Sequence, residues 1–188
     1  MKGKLMIGLV AAAALLGVTS IAAAKVIGGT PGDDTIIGTA RADVIATLAG
    51  NDTVDAEAGN DRVFAGAGDD RVLGGAGDDF VRGGPGSDNL NGGAGNDVVR
   101  GRHGDDMVTG GDGNDSLWPG SGQDVELGGD GNDRLHALAN DNQVDTLDCG
   151  AGDDTAIVNL NERDVVAANC EHVIRIVPTP GQAGEDDK

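Results

Sequence analysis

The chain has 188 residues, 34 of them Gly and 27 Asp, and a formal charge of −19 from 13 Lys and Arg against 32 Asp and Glu. It has one Trp, two Phe and no Tyr, and Leu, Ile, Val and Phe reach about 22%, near the level below which a highly charged chain stays disordered. These numbers exclude an ordinary core anchored on aromatic residues, since too little large apolar surface is available to offset chain entropy. They also disfavour nucleic acid and anionic membranes as partners, because both require a basic footprint.

Residues 1–24 have the layout of a secretory signal peptide. Lys2 and Lys4 form a basic start, Leu5 to Val18 is an apolar and small-residue run, and Ala22-Ala23-Ala24 is an Ala-x-Ala exit. The run is short for a membrane span, and no other stretch is apolar enough to span one. Cleavage near Ala24 removes Lys2 and Lys4 and takes the charge to −21. The mature chain is then secreted, and an oxidising compartment favours pairing of the only two cysteines, Cys149 and Cys170.

From Gly29 onward the sequence repeats every nine residues. Asp stands at 34, 43, 52, 61, 70, 79, 88, 97, 106, 115, 124 and 133, twelve times without an insertion over residues 29–136. Gly precedes each Asp by two positions, except at Arg41, and the intervening residue is mostly Asp or Asn. An aliphatic follows each Asp but Asp124 by two positions, from Ile36 and Ile45 to Val108, Leu117 and Leu135. After a three-residue slip at Ala137-Leu138-Ala139 the period returns at Asp145 and Asp154.

Each Gly-rich stretch of six residues is expected to form a tight turn, and the next three a short strand with its middle residue inward. One repeat cannot bury a single Val, but stacked repeats form a thin aliphatic column between two sheets. The turns then place carboxylates in rows. Like charges 4 Å apart repel by roughly 4 kcal/mol at an effective dielectric of about 20, so the rows require cations. Carboxylate and carbonyl oxygens are hard ligands that select Ca²⁺.

Gly74-Gly75-Ala76-Gly77-Asp78-Asp79-Phe80-Val81-Arg82 and the stretch from Gly92 to Arg100 fit the nonapeptide Gly-Gly-x-Gly-x-Asp-x-aliphatic-x at every defined position. The chain therefore resembles the RTX, or haemolysin-type, calcium-binding repeat proteins, strongly over 29–136 and weakly over 140–157. The resemblance implies an all-β fold, a parallel β-roll with two repeats per coil, over residues 25–157. It implies several Ca²⁺ ions held between turns n and n+2, at most ten for twelve turns. The implied ligands are the side chains of Asp34, Asp52, Asp61, Asp70, Asp79, Asp88, Asp97, Asp106, Asp115, Asp124, Asp133 and Asp154. Backbone carbonyls of the Gly-rich turns complete them, at Gly68, Gly77, Gly86, Gly95, Gly104 and Gly113.

Three places depart from the pattern. The second repeat has Arg41 and Ala42 where Gly and Asp or Asn belong, so its calcium site is expected to be weak or absent. The eleventh has Pro119 at the first Gly position and Glu126 at the inward position of its strand. A lone carboxylate inside is costly, so either the strand slips by one, turning Val125 and Leu127 inward, or the column opens there. Residues 158–177 lack Gly turns and are expected to cap the column. A Cys149–Cys170 bridge there would contribute roughly 3 kcal/mol in the chain-entropy model. Residues 178–188 read as a disordered acidic tail.

No nucleophile elbow, zinc-helix motif or phosphate loop is found, and His103, His136 and His172 are isolated. The recurring Asp pairs do not single out a catalytic dyad, so no enzymatic activity is expected. On the even-numbered repeats the outward strand positions carry every aromatic side chain, beside arginines: Arg62, Phe64, Phe80, Arg82, Arg100 and Trp118. Neighbouring pairs Arg62/Phe80, Phe64/Arg82 and Arg100/Trp118 are expected to form cation–π ladders. A docking face for a cell-surface glycan or polyanion is the alternative. The expectation is thus a secreted, monomeric, calcium-folded structural or adhesive protein. An extracellular calcium buffer or sensor, or an accessory module of a secreted enzyme, is the alternative.

Overall fold

The computed structural model describes residues 25–178. The signal peptide expected over 1–24 and the tail residues 179–188 lie outside them. The described residues form seventeen strands. In chain order they are β1 (Val26–Gly28), β2 (Thr35–Thr39), β3 (Val44–Ala46), β4 (Thr53–Glu57), β5 (Arg62–Phe64), β6 (Arg71–Ala76), β7 (Phe80–Pro85), β8 (Asn89–Ala94) and β9 (Val98–His103). They continue with β10 (Met107–Asp112), β11 (Ser116–Ser121), β12 (Val125–Asp130), β13 (Arg134–Ala137), β14 (Thr146–Ala151), β15 (Thr155–Asn159), β16 (Val165–Val166) and β17 (His172–Ile176).

Odd-numbered strands form one nine-stranded sheet and even-numbered strands an eight-stranded sheet, each in sequence order. Every pairing is parallel, and the partner lies 18 residues away through most of the chain, as for Val63↔Val81↔Val99. The chain thus alternates between the sheets, two nine-residue repeats per coil, for about eight coils. This is the parallel β-roll that the resemblance implies, with the aliphatic column expected from the period as its interior. Ile45, Val63, Val81, Leu90, Val99, Val108, Leu117 and Leu135 are all fully buried. Two opposed sheets one side chain apart leave no room for rings, which accounts for the scarcity of aromatics.

The strands are longer than the expected three residues: six in β6 to β12. The Gly-Gly pair continues the ladder instead of opening the turn, as in Gly75↔Gly93. The first Gly of the pair becomes a second inward position, and Gly74, Gly83, Gly92, Gly101 and Gly110 are buried. The second Gly adopts positive φ, for example +110° at Gly75, a conformation that glycine reaches without a Cβ penalty.

Glu126 neither slips nor opens the column. The register holds, with Val108↔Glu126 on one side and Glu126↔Leu147 on the other, and Glu126 is fully buried. Its Oε2 accepts the His136 backbone N–H at 3.1 Å, a hydrogen bond that offsets the cost of burial. Pro119 is part of the same adjustment. It has no N–H, and the β11–β13 pairing ends at Leu117↔Leu135. The His136 ring fills the gap, donating from Nδ1 to the Leu117 carbonyl at 3.0 Å and stacking on Trp118 at 4.5 Å.

The C-terminal segment does not sit apart from the roll. β16 and β17 extend the two sheets by one strand each, pairing with β14 and β15. A Cys149–Cys170 disulfide, with Cα atoms 5.2 Å apart, joins the last two coils.

Candidate metal centres

Sequence places each Asp of the repeat at the end of a turn, and the structure stacks these Asp residues in two rows, one along each edge of the roll. Asp52, Asp70, Asp88, Asp106 and Asp124 line one edge; Asp61, Asp79, Asp97, Asp115, Asp133 and Asp154 line the other. All are at most 3% exposed. Their fixed position comes from a hydrogen bond between coils: the Oδ1 of each accepts the backbone N–H of the Asp one coil earlier. Asp79 accepts from Asp61 at 2.7 Å, Asp97 from Asp79 at 2.7 Å and Asp106 from Asp88 at 2.7 Å. Across the three-residue slip the chain of bonds continues from Asp124 to Asp145 and from Asp133 to Asp154.

The second carboxylate oxygen has a different fate. In Asp52, Asp61, Asp70, Asp79, Asp88, Asp97, Asp106, Asp115, Asp124, Asp133 and Asp154 the Oδ2 is buried and has no hydrogen-bond partner. Eleven buried, unpartnered carboxylate oxygens in two rows are untenable if ionised and uncompensated. Burial raises Asp61, Asp115 and Asp154 above the ordinary carboxylate range and seven others further. Asp70, Asp79, Asp88 and Asp133 reach about 6, Asp97 and Asp124 about 7, and Asp106 about 9. In each, desolvation is the largest cause and neighbouring carboxylates add to it, against the backbone hydrogen bond that lowers it.

Glycine shapes the space beside Oδ2. A Cβ on Gly110 would lie 2.6 Å from the Gly128 carbonyl oxygen and against the Asp115 Oδ2. At Gly74, Gly83, Gly101 and Gly128 it would likewise meet both the Oδ2 of the Asp five residues on and a carbonyl of the next coil. The missing side chain therefore lets the carboxylate Oδ2 and a carbonyl of the next coil pack against the glycine. The carbonyls of Gly68, Gly77, Gly86, Gly95, Gly104 and Gly113 accept no hydrogen bond among the described residues. Each lies beneath the corresponding glycine of the next coil, so a Cβ there would collide with it. This all-oxygen donor set fits a hard divalent cation.

The rows are graded along the chain. Thr47, Ala56 and Ala65 stand where Gly74 and Gly83 stand in the later repeats, so a Cβ is present there in the repeats of Asp52, Asp61 and Asp70. In the first two repeats Thr takes the second Gly position. The Oδ2 of Asp34 accepts the Thr30 N–H at 2.5 Å and hydroxyl at 3.1 Å. The Oδ2 of Asp43 accepts the Thr39 N–H at 2.7 Å and hydroxyl at 2.9 Å. Asp34 thus differs from the other ligands expected of the sequence: threonine already satisfies its second oxygen.

Outside each inner row runs an exposed Asp and Asn row bonded in the opposite sense, forward to the next coil. Asp78 accepts the Asn96 N–H at 2.9 Å, and Asn96 that of Asn114 at 3.1 Å. On the nine-stranded face Arg100 spans two rings, 5.8 Å from the Phe80 centroid and 5.0 Å from that of Trp118. Phe64 packs on Phe80 at 5.8 Å. The expected pairs Arg62/Phe80 and Phe64/Arg82 give way to these contacts; Arg100/Trp118 forms.

The RTX calcium-binding nonapeptide repeat family matches the chain in overlapping stretches, residues 28–63, 47–81, 55–90, 64–99, 82–117, 91–126 and 118–156. The chain belongs to this family of calcium-binding repeat proteins. No curated protein was found to match it as a relative.

Proposed function

We propose that the protein is a secreted, calcium-folded rod with a structural or adhesive role at the cell exterior. The observation that carries this reading is the double duty of the inner Asp rows. One oxygen of each carboxylate holds the preceding coil; the other is buried without a partner. A bound Ca²⁺ supplies the positive charge that lets these oxygens ionise inside the fold. Folding and ion binding are then one equilibrium, unlike a buffer, whose sites fill on a preformed scaffold. Millimolar Ca²⁺ matches the affinity of extracellular modules, about 10⁻⁴–10⁻³ M, so low calcium keeps the chain open for export and high calcium closes it.

The aromatic and arginine face serves the ladder in this reading, since its side chains contact one another across adjacent strands. Sedimentation and circular dichroism of the mature chain during a calcium titration test the proposal. Coincident compaction and gain of β-structure are expected. Calcium uptake with no change in shape would favour the buffer reading. Binding to cell-wall polysaccharide that survives Arg82→Ala plus Trp118→Ala excludes a docking role for the face.

A further inference from the structure

The family match ends at residue 156, yet a group of carboxylates continues past it. Asp145 precedes β14, while Glu162 and Asp164 lie between β15 and β16, in segments without the Gly turns of the repeat. One oxygen of each lies within 4.8 Å of the others.

Each carboxylate is fixed by one oxygen and leaves the other over. Asp145 Oδ1 accepts the Asp124 N–H at 2.9 Å, and Asp164 Oδ1 accepts the Asp145 N–H at 3.3 Å. Glu162 Oε1 accepts the N–H groups of Asp141 and Asn142 at 2.9 and 3.0 Å. The Oε2 of Glu162 and the Oδ2 of Asp164 are buried with no partner. Asp145 is only 2% exposed, and its Oδ2 accepts no hydrogen bond among the described residues. One coil below, Asp124 is fully buried with its Oδ2 unpartnered.

The neighbouring groups do not supply the missing partner. Asp141 is engaged by backbone, its Oδ2 by the Gly122 N–H at 2.7 Å and its Oδ1 by the Gln143 N–H at 2.9 Å. Arg175 acts on Asp164 electrostatically but makes no ion pair with it among the described residues. Two buried carboxylate oxygens without a donor, beside a third carboxylate and with no paired cation among the described residues, point to a bound ion.

We propose that the C-terminal cap holds a calcium ion of its own, between Asp145, the last Asp of its row, and Glu162 and Asp164, which lie beyond the nonapeptide repeats. Oxygen-only ligands from acidic side chains select a hard divalent ion of the Ca²⁺ type. The ion joins the connection carrying Glu162 and Asp164 to the turn before β14. It clamps one edge of the last coil, while the Cys149–Cys170 disulfide joins the same two coils elsewhere.

The test counts ions on the full mature chain by native mass spectrometry in Ca²⁺. The double variant Glu162→Gln, Asp164→Asn is expected to hold one calcium fewer than wild type, with its β circular dichroism kept. Asp97→Asn serves as the comparison for a repeat site. Equal counts in wild type and the double variant overturn the cap site while leaving the repeat sites standing. A wild-type chain that holds no calcium at all overturns both. Should the double variant fail to fold, anomalous diffraction from wild-type crystals grown in Ca²⁺ decides. A peak among the three carboxylates is expected, and peaks confined to the repeat turns would overturn the site.

Discussion

The second position of the nonapeptide decides what each inner Asp can do. Where Thr30 and Thr39 occupy it, the carboxylate is satisfied by protein; in the repeats from Asp52 to Asp133 its Oδ2 is left over. The same position carries strain where it is neither Gly nor Thr. Leu48, Glu57 and Arg102 sit there at φ of 84°, 72° and 102°. The left-handed region costs a non-glycine residue roughly 1–2 kcal/mol, and Leu48 is largely exposed. Leu48→Gly is therefore expected to stabilise the calcium-loaded protein by up to about 1 kcal/mol after the entropy of Gly is counted, read as a higher thermal midpoint. The first position makes a complementary prediction. Gly110→Ala puts a methyl against the Asp115 Oδ2 and the Gly128 carbonyl, whereas Gly28 has nothing within 4 Å. The first substitution should raise the calcium midpoint and remove an ion, and Gly28→Ala should change neither. A Gly110→Ala variant with wild-type calcium uptake would contradict the placement of the site.

At the scale of the strand, most of the architecture was legible from the nine-residue period, because each repeat has one inward aliphatic and one turn. Leu90 illustrates the packing: it is fully buried and pairs in register with Val72 and Val108. Leu90→Ala should cost about 2–5 kcal/mol in calcium by chemical denaturation, since parallel strands at a fixed spacing cannot collapse on the void. Strand length was less legible. Glycine suggests a turn on composition alone, and only the ladder shows that Gly74 and Gly75 still belong to β6. Nor did the period reveal how the Pro119 and Glu126 departures cancel, because the solution comes from His136 on the neighbouring strand. The same holds for Asp145, Glu162 and Asp164, which share no spacing and meet only through the stacking of coils. Opening the Cys149–Cys170 bridge by reduction should lower stability by roughly 3 kcal/mol, with β16 and β17 losing amide-exchange protection first.

At the scale of the molecule, the acidic composition is the price of a fold whose rows of carboxylates replace a thick core. The sign of its pH dependence follows from the raised groups. Asp106 at about 9, Asp97 and Asp124 at about 7, and Asp70, Asp79, Asp88 and Asp133 at about 6 all exceed the unfolded value near 3.9. Between these limits the metal-free folded chain holds protons that the unfolded chain releases, so its stability is greatest near pH 4 and falls as pH rises towards 9. Without metal, more β-structure is expected at pH 5.5 than at pH 8. With calcium the trend reverses, because protons then compete with the ion for the same oxygens. The opposite slopes separate neutralisation by protons from neutralisation by cations on one set of residues.

On this reading the described fold forms when cations fill the two inner Asp rows. A calcium titration of the mature chain at pH 7.5, followed at once by far-ultraviolet circular dichroism and by native mass spectrometry, tests it most directly. The predicted result is a cooperative gain of parallel β-structure that coincides with the uptake of several calcium ions, reversed fully by a chelator. A spectrum already β-rich in chelator and unchanged by calcium would contradict it.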